Sequence, residues 1–370
     1  MISDKVVKSI KVFGAALDAT DFPLSLQIKQ NYLSQLAQNR IMNPKFLDPY
    51  EGLLLFSHVL PKEKYLKMGK FPIESWLTPK PNLEDLPLIN QREFQKFTNK
   101  GLIRKYSEKL DTYVRNNILP DFPLMIGVDH SLTGGILKAL SSEFGPEGLI
   151  IIIFDAHFDG LPASISLNIA KYMNEYPQET NPLISEHINA LNENLDIVDT
   201  YTCASFLFYL MKEEVIIPEN LIIFGCQDYP DIKFRSLDDF RIREFVEFYD
   251  GMEQKGVNFI PKSDRSTMIR KLSTVLEKTE KSKMYISFDT DVGALKEIIA
   301  TRFRNAIGID ELTIMNAAKT IKNVINSKKI DLIGLDIMEI ETHLLNRVFP
   351  KSGREDQTVK VIDSFLDVFF

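Results

Sequence analysis

Hydrophobic positions in this chain fall into compact blocks separated by polar stretches with a different rhythm. The runs FPLMIGV (122–128), LIIIIF (149–154), NLIIFG (220–225), KMYISF (283–288) and KIDLIGLDI (329–337) are too short for core helices and end in polar or turn residues. Their continuous rather than alternating apolarity predicts strands buried on both faces, as in a parallel sheet. KVFGAAL (11–17) predicts an earlier strand. Between the runs the spacing changes to that of helices. Met268, Leu272, Val275 and Leu276 follow a Ser263 cap, and Ile314, Ala317, Ile321, Val324 and Ile325 follow Asp310. Strand and helix therefore alternate. That order predicts right-handed crossovers and a three-layer α/β/α domain with a mostly parallel central sheet, holding its ligands at the carboxyl ends of the strands.

The expected organisation is one domain over 1–370, with an irregular insertion at about 162–199. This segment, rich in Asn and interrupted by Pro, suits a lid or binding loop. The N-terminal third adds a Pro-punctuated aromatic stretch, FPIESWLTPKPNLEDLPL (71–88), and the chain carries no repeat.

Composition narrows the function classes. With 44% hydrophobic and 26% charged residues the chain can bury a large core. A net charge of -7 and the lack of a Lys/Arg stripe exclude a phosphate-backbone partner. No run is long enough for a membrane span and the N-terminus lacks the order of a signal peptide, so a cytoplasmic protein is expected. Cys203 and Cys226 are too few for a disulfide framework and are expected as reduced thiols.

Chemistry enters where the runs end. LMIGVDHS, IIIFDAHFD and YISFDTD each close a predicted strand with acids and imidazoles. A single DxH or DxD is weak evidence, since turn carboxylates are common. Three such clusters at strand ends are stronger, because a parallel sheet builds its site there. Asp155, His157 and Asp159 alternate with Ala156 and Phe158, so an extended chain would point all three to one side. Together with His130, Asp289 and Asp291 they form four carboxylates and two imidazoles. This hard, oxygen-rich set suits Mn²⁺ better than Zn²⁺.

The motifs GVDHS, FDAHFD and SFDTD, followed by DIMEI (336–340), resemble the metal motifs and later D-x-x-E segment of the ureohydrolases, the arginases and agmatinases, over about 210 residues. The resemblance implies an arginase-like fold and two Mn²⁺ per chain. His130, Asp155, Asp159 and Asp289 would ligate one ion, and Asp155, His157, Asp289 and Asp291 the other. It implies further that Glu339 binds the guanidinium group, that Asp159 passes a proton to the departing amine, and that urea is released. Homo-oligomers are common among such enzymes.

Departures from the family pattern bear on the substrate. Leu161 stands where arginases acting on free arginine carry an Asn that holds the α-carboxylate. No His-Gly pair follows; Thr202 and Cys203 lie in the matching stretch, and His187, in the insertion, is a loop histidine unless it folds back. Asp228 or Asp231 in FGCQDYPD stands where family acids meet an α-amino group, or else serves the turn around Pro230. The pattern is similar to that of atypical arginases that convert arginine to ornithine within peptides. An arginine-containing peptide is therefore the expected partner. Free arginine, and then agmatine or another guanidino compound, are the alternatives within the class. A one-zinc deacetylase-like enzyme and a catalytically lapsed binding protein are the alternatives outside it.

Overall fold

The computed structural model describes residues 9–40, 44–177, 198–304, 307–349 and 353–370. The strands are β1 (Ile10–Ala15), β2 (Tyr65–Lys70), β3 (Phe122–Gly127), β4 (Leu149–Phe154), β5 (Leu221–Phe224), β6 (Asn258–Ile260), β7 (Lys283–Asp289) and β8 (Asp331–Met338). They form one eight-stranded parallel sheet in the order β2-β1-β3-β8-β7-β4-β5-β6. All six predicted strands are present.

Side-chain alternation explains why these runs are apolar throughout. On β4, Ile150, Ile152 and Phe154 pack into a core layer with the helices Arg265–Lys278, Glu311–Lys328 and Thr358–Phe369. Leu149, Ile151 and Ile153 pack into the opposite layer with the helices Leu102–Tyr113, Thr133–Phe144 and Phe240–Gln254. The result is the expected three-layer α/β/α fold.

The topology also fixes where a site can form. The chain builds β1, β2 and β3 on one side, moves across to β4, β5 and β6, and returns to insert β7 and β8 between β4 and β3. The carboxyl ends of β3, β8, β7 and β4 therefore stand side by side at the point where strand order reverses, which is where open parallel sheets bind ligands. Register aligns them: Phe154 pairs with Phe288, Asp289 with Met338, and Ile126 with Ile337.

Three expectations need correction. The helix after position 263 is capped by Asp264, whose Oδ1 accepts from the Thr267 N–H at 3.0 Å, and not by Ser263. Asp310 caps its helix as expected, accepting from the Thr313 N–H at 2.7 Å. The segment expected to be irregular from 162 begins instead with a helix, Ala163–Glu175, burying Ile165, Ile169 and Tyr172. Residues 178–197, including His187, lie outside the described residues. The edge strands β2 and β6 were not foreseen: YLKMGK is largely exposed, and NFI is three residues long. No helix among the described residues is long and apolar enough to cross a membrane.

Candidate metal centre

His130 lies three residues beyond β3, in a short turn (His130–Leu132) whose preceding Asp129 accepts from the Ser131 N–H at 3.1 Å. Its ring is fully buried. Nε2 is 2.8 Å from Ser287 Oγ, and Ser287 Oγ in turn donates to Asp336 Oδ1 at 2.5 Å. Since the serine hydrogen is committed to Asp336, the imidazole donates Nε2–H to the serine, and Nδ1 faces the other way. There it meets Asp159 Oδ2 at 2.8 Å, Asp289 Oδ2 at 3.1 Å and Asp155 Oδ2 at 3.2 Å. None of these contacts has hydrogen-bond alignment, and Nδ1 has no such partner. Four donor atoms thus surround a common point.

The carboxylates follow one rule. Asp155 Oδ1 accepts from the His157 N–H at 2.6 Å, Asp289 Oδ1 from the Asp291 N–H at 2.8 Å, and Asp291 Oδ1 from the Ala156 N–H at 3.0 Å. Each spends one oxygen on backbone and turns the other inward. Asp155 Oδ2 and Asp291 Oδ2 are buried without a hydrogen-bond partner. His157 Nδ1 lies 2.7 Å from Asp291 Oδ2 and 3.6 Å from Asp155 Oδ1. The potential ligand atoms form three compact groups: His130, Asp155, Asp159 and Asp289; Asp155, His157 and Asp291; and Asp289, Asp291 and Glu339. Asp155, Asp289 and Asp291 each belong to two groups. In the second, Asp289 is not among the members, as it groups with Asp291 and Glu339.

The DAHFD segment reaches this arrangement by a route the alternation argument did not anticipate. The strand ends at Phe154, and the chain then turns, with Asp159 in the left-handed region at φ 55. The extended backbone assumed over 155–159 is corrected to this turn. Its three side chains still converge, Asp155 and Asp159 towards His130, and His157 towards Asp291.

Electrostatics point the same way. Burial pushes the Asp159 carboxyl up, and the Asp155 charge pushes it further, to about 7. Burial and the neighbouring acids likewise raise Asp289, Asp291 and Glu339. Asp155 goes the other way: burial opposes its charge, but the neighbouring His130 and His157 imidazoles hold it down at about 2. Burial alone would lower both imidazoles, yet the surrounding carboxylates hold them well above the usual histidine range. Protons are here compensating a cluster of negative charge. A divalent cation does so with one body at the centre, and the unpartnered inward atoms fit it. The donor set, four carboxylates and two imidazoles, suits hard cations.

Glu339 follows β8 directly, is buried, occupies the left-handed region at φ 59 and has an unpartnered Oε2. It is a buried strand-end acid. It lines a cavity of about 520 Å³ with His157, Asp159, Leu161, Asp228 and Phe303. Leu161 gives this wall an apolar surface. Cys203 also lines the cavity, its thiol pushed up by burial, and Cys226 is fully buried. Asp228 accepts from Cys226 Sγ at 2.9 Å and from the Phe158 N–H at 3.2 Å, so it braces the DAHFD turn from behind. Asp231 accepts from the Phe234 N–H at 2.7 Å, capping the short helix Ile232–Arg235 at the cavity edge. Sequence reasoning missed the supports behind His130. Ser287 lies two residues before Asp289 on the same strand and so on the same face, a signal that was available. Asp336, within DIMEI, also accepts from Thr133 Oγ1 at 2.6 Å and from the Tyr285 hydroxyl.

Known proteins share this arrangement of elements. The structure is similar to arginase from Bacillus caldovelox (TM-score 0.52, 16% identity, covering 98% of both chains). It is similar also to proclavaminate amidino hydrolase from Streptomyces clavuligerus (0.54, 14%, 98% of this chain and 91% of that one) and to Trypanosoma cruzi formiminoglutamase (0.51, 14%, 98% and 92%). At these identities the likeness establishes the fold. No curated protein matches the sequence. The sequence itself matches the Arginase family over residues 78–348, a span that contains His130, the DAHFD turn, Asp289, Asp291 and Glu339. This chain therefore belongs to the arginase family.

Proposed function

We propose that this protein is a binuclear manganese hydrolase that attacks a guanidinium carbon and releases urea, acting on arginine side chains within a peptide to leave ornithine. The observation that carries the reading is the convergence of buried, unpartnered acceptors, His130 Nδ1, Asp155 Oδ2, Asp291 Oδ2 and Glu339 Oε2, at one end of the sheet. In this reading His130, Asp155, Asp159 and Asp289 hold one ion, and Asp155, His157, Asp289 and Asp291 the other. When bound, such a pair lowers the pKa of a water towards neutrality and so supplies a nucleophile.

The chain's own residues do the rest. The Asp336–Ser287–His130 relay fixes the imidazole tautomer so that Nδ1 is the ligating atom. Glu339 presents its free oxygen to the planar cation, and charge-assisted hydrogen bonds orient the guanidinium carbon towards the centre. Asp159 lines the cavity beside Glu339, so it is placed to pass a proton to the departing amine.

Substrate choice follows from the cavity wall. Among the described residues that line it there is no Lys or Arg, while Asp21, Asp228 and Asp231 are present. A free α-carboxylate meets no Lys or Arg there, whereas a peptide bond or a decarboxylated amine is tolerated. Agmatine is the second reading, favoured by the same acids. The cavity's volume and apolar wall favour the larger peptide. A catalytically lapsed binding protein fits less well, since buried like charges are costly to keep without cations. The test is to load purified protein with Mn²⁺ and measure urea from an arginine-containing peptide, agmatine and free arginine. Urea from none of them overturns the reading, and urea from free arginine alone overturns the substrate assignment.

A further inference from the structure

A second set of buried charges lies behind the site and has no part in holding metal. Arg302, Asp18, Lys29 and Glu341 keep side-chain exposures of 6%, 1%, 1% and 5%. The Arg302 guanidinium forks, one nitrogen pairing with Asp18 Oδ1 and the other lying 3.2 Å from Glu341 Oε2. Lys29 Nζ closes the set, donating to the Asp18 carbonyl at 2.7 Å and lying 3.3 Å from Asp18 Oδ2. Two cations and two anions are thus sealed together. Buried pairs of this kind add little net stability over apolar packing of the same volume, because desolvation offsets the attraction. What they do well is fix relative position.

Their position is informative. The Arg302 N–H donates to the Glu339 carbonyl at 2.7 Å, and the Glu341 N–H donates to the Ala300 carbonyl at 3.1 Å. Between them Thr301 and Ile340 pair as an antiparallel bridge. Thr290 Oγ1, just past β7, donates to the Met338 carbonyl and lies 3.0 Å from Thr301 Oγ1. Residues 300–302 therefore hold the backbone on the carboxyl side of Glu339, and Thr290 holds it on the amino side, around a left-handed conformation that a non-glycine residue seldom adopts unless its surroundings impose it. The fork's other arm reaches Asp18, immediately before Ala19–Phe22, a wall of the same cavity. Phe303, next in the chain, packs edge-on against Phe22 at 5.5 Å and against His157 at 6.3 Å.

We infer that Arg302, clasped by Asp18 and Glu341, is a positioning residue that sets the Glu339 carboxylate at the metal centre and locks it to the facing wall of the substrate cavity. Arg302 touches neither substrate nor metal; it acts through the Glu339 backbone and the Asp18–Phe22 segment. The inference rests on the guanidinium-hydrolase reading for what Glu339 binds, but not for the clasp itself.

Arg302→Lys keeps the charge and loses the fork, so it separates geometry from electrostatics. With Mn²⁺-loaded protein, KM for the guanidino substrate rises about tenfold, in the range that removal of supporting residues behind a site produces. Inhibition by guanidinium chloride weakens in parallel, while metal content and the metal-induced rise in Tm stay at wild-type values. In metal-free protein, amide hydrogen exchange quickens at 300–302 and 339–341 and stays unchanged in β3, β4 and β7. Glu341→Gln, which keeps the Asp18 arm, shows the same pattern more weakly and serves if Arg302→Lys does not fold. Exchange that quickens evenly across the sheet, or an unchanged KM beside unchanged local exchange, overturns the inference. Should wild-type protein release no urea from any guanidino compound, the functional reading fails, and local exchange alone then decides the clasp.

Discussion

At the scale of single residues the centre is governed by how each carboxylate divides its two oxygens. Asp155, Asp289 and Asp291 each commit one to a backbone N–H and leave the other for the centre. Truncation therefore removes an anchor as well as a candidate ligand. Glu339 is free of that double duty. Glu339→Gln is expected to lower kcat/KM for a guanidino substrate about 100-fold, the loss of a charge-assisted pair worth roughly 2–3 kcal/mol. Metal content should stay at the wild-type level, and elemental analysis beside the kinetics checks both halves. Asp159 sets a pH dependence. Held up at about 7, it keeps its proton in the folded, metal-free chain at pH values where the unfolded chain has lost its own. Its contribution to metal-free stability is complete below the ordinary aspartate pKa and is lost as pH rises through about 7. Because a cation must displace that proton, affinity for Mn²⁺ should rise between pH 6 and 8 with release of protons. Calorimetric titration in buffers of different ionisation enthalpy measures this, and a flat affinity across the window would contradict Asp159 as a ligand.

Elements place these residues, and here close backbone packing decides the outcome. Gly127 ends β3, three residues before His130, between β1 and β8. A Cβ there would come within 2.8 Å of the Ala15 carbonyl oxygen and 2.6 Å of Met338 Cε. The methionine can swing aside, but the carbonyl belongs to a paired strand and cannot. Gly127→Ala should therefore part β3 from its neighbours, lower stability by roughly 1–3 kcal/mol as overpacking does, and weaken metal retention because His130 moves with the strand end. Thermal unfolding with and without Mn²⁺ checks it; a cost in Tm with full metal retention would show that His130 is positioned independently of β3. The same level explains what could be read beforehand. Interior strands such as LIIIIF were legible because burial on both faces leaves no polar position. The edge strands β2 and β6 were not, since one flank is open and polar residues are admitted. The helix Ala163–Glu175 was hidden by Ser and Asn, which weaken propensity, while its buried Ile165, Ile169 and Tyr172 supply the tertiary packing that overrides it.

On the scale of the whole molecule, the fold is a device for bringing together four strand ends that are remote in sequence. His130, Asp155 and Asp289 were legible because each falls at the end of a strand or within three residues of it. Arg302 and Asp18 were not, since an isolated charge in a loop carries no periodicity and only the folded chain shows that it is buried. The return of β7 and β8 to the middle of the sheet concentrates buried carboxyls at its most interior point, where repulsion among them works against the fold. A cation bound only by the native state reverses this, stabilising it by RT ln(1 + [L]/Kd), about 2.7 kcal/mol at a hundredfold excess over Kd. Chelation should therefore lower Tm by several degrees, and Mn²⁺ should restore it in a concentration-dependent way. His130→Ala combined with Asp289→Ala removes two candidate ligands, one of them an acid shared between two groups, and with that acid part of the repulsion. That variant should lose the response to chelator and to Mn²⁺ while keeping a Tm close to that of the stripped wild type. A wild-type Tm indifferent to chelation, in protein shown by elemental analysis to have lost its metal, would mean that the acids at the centre of the sheet are tolerated without a cation and would remove the electrostatic reason for assigning one.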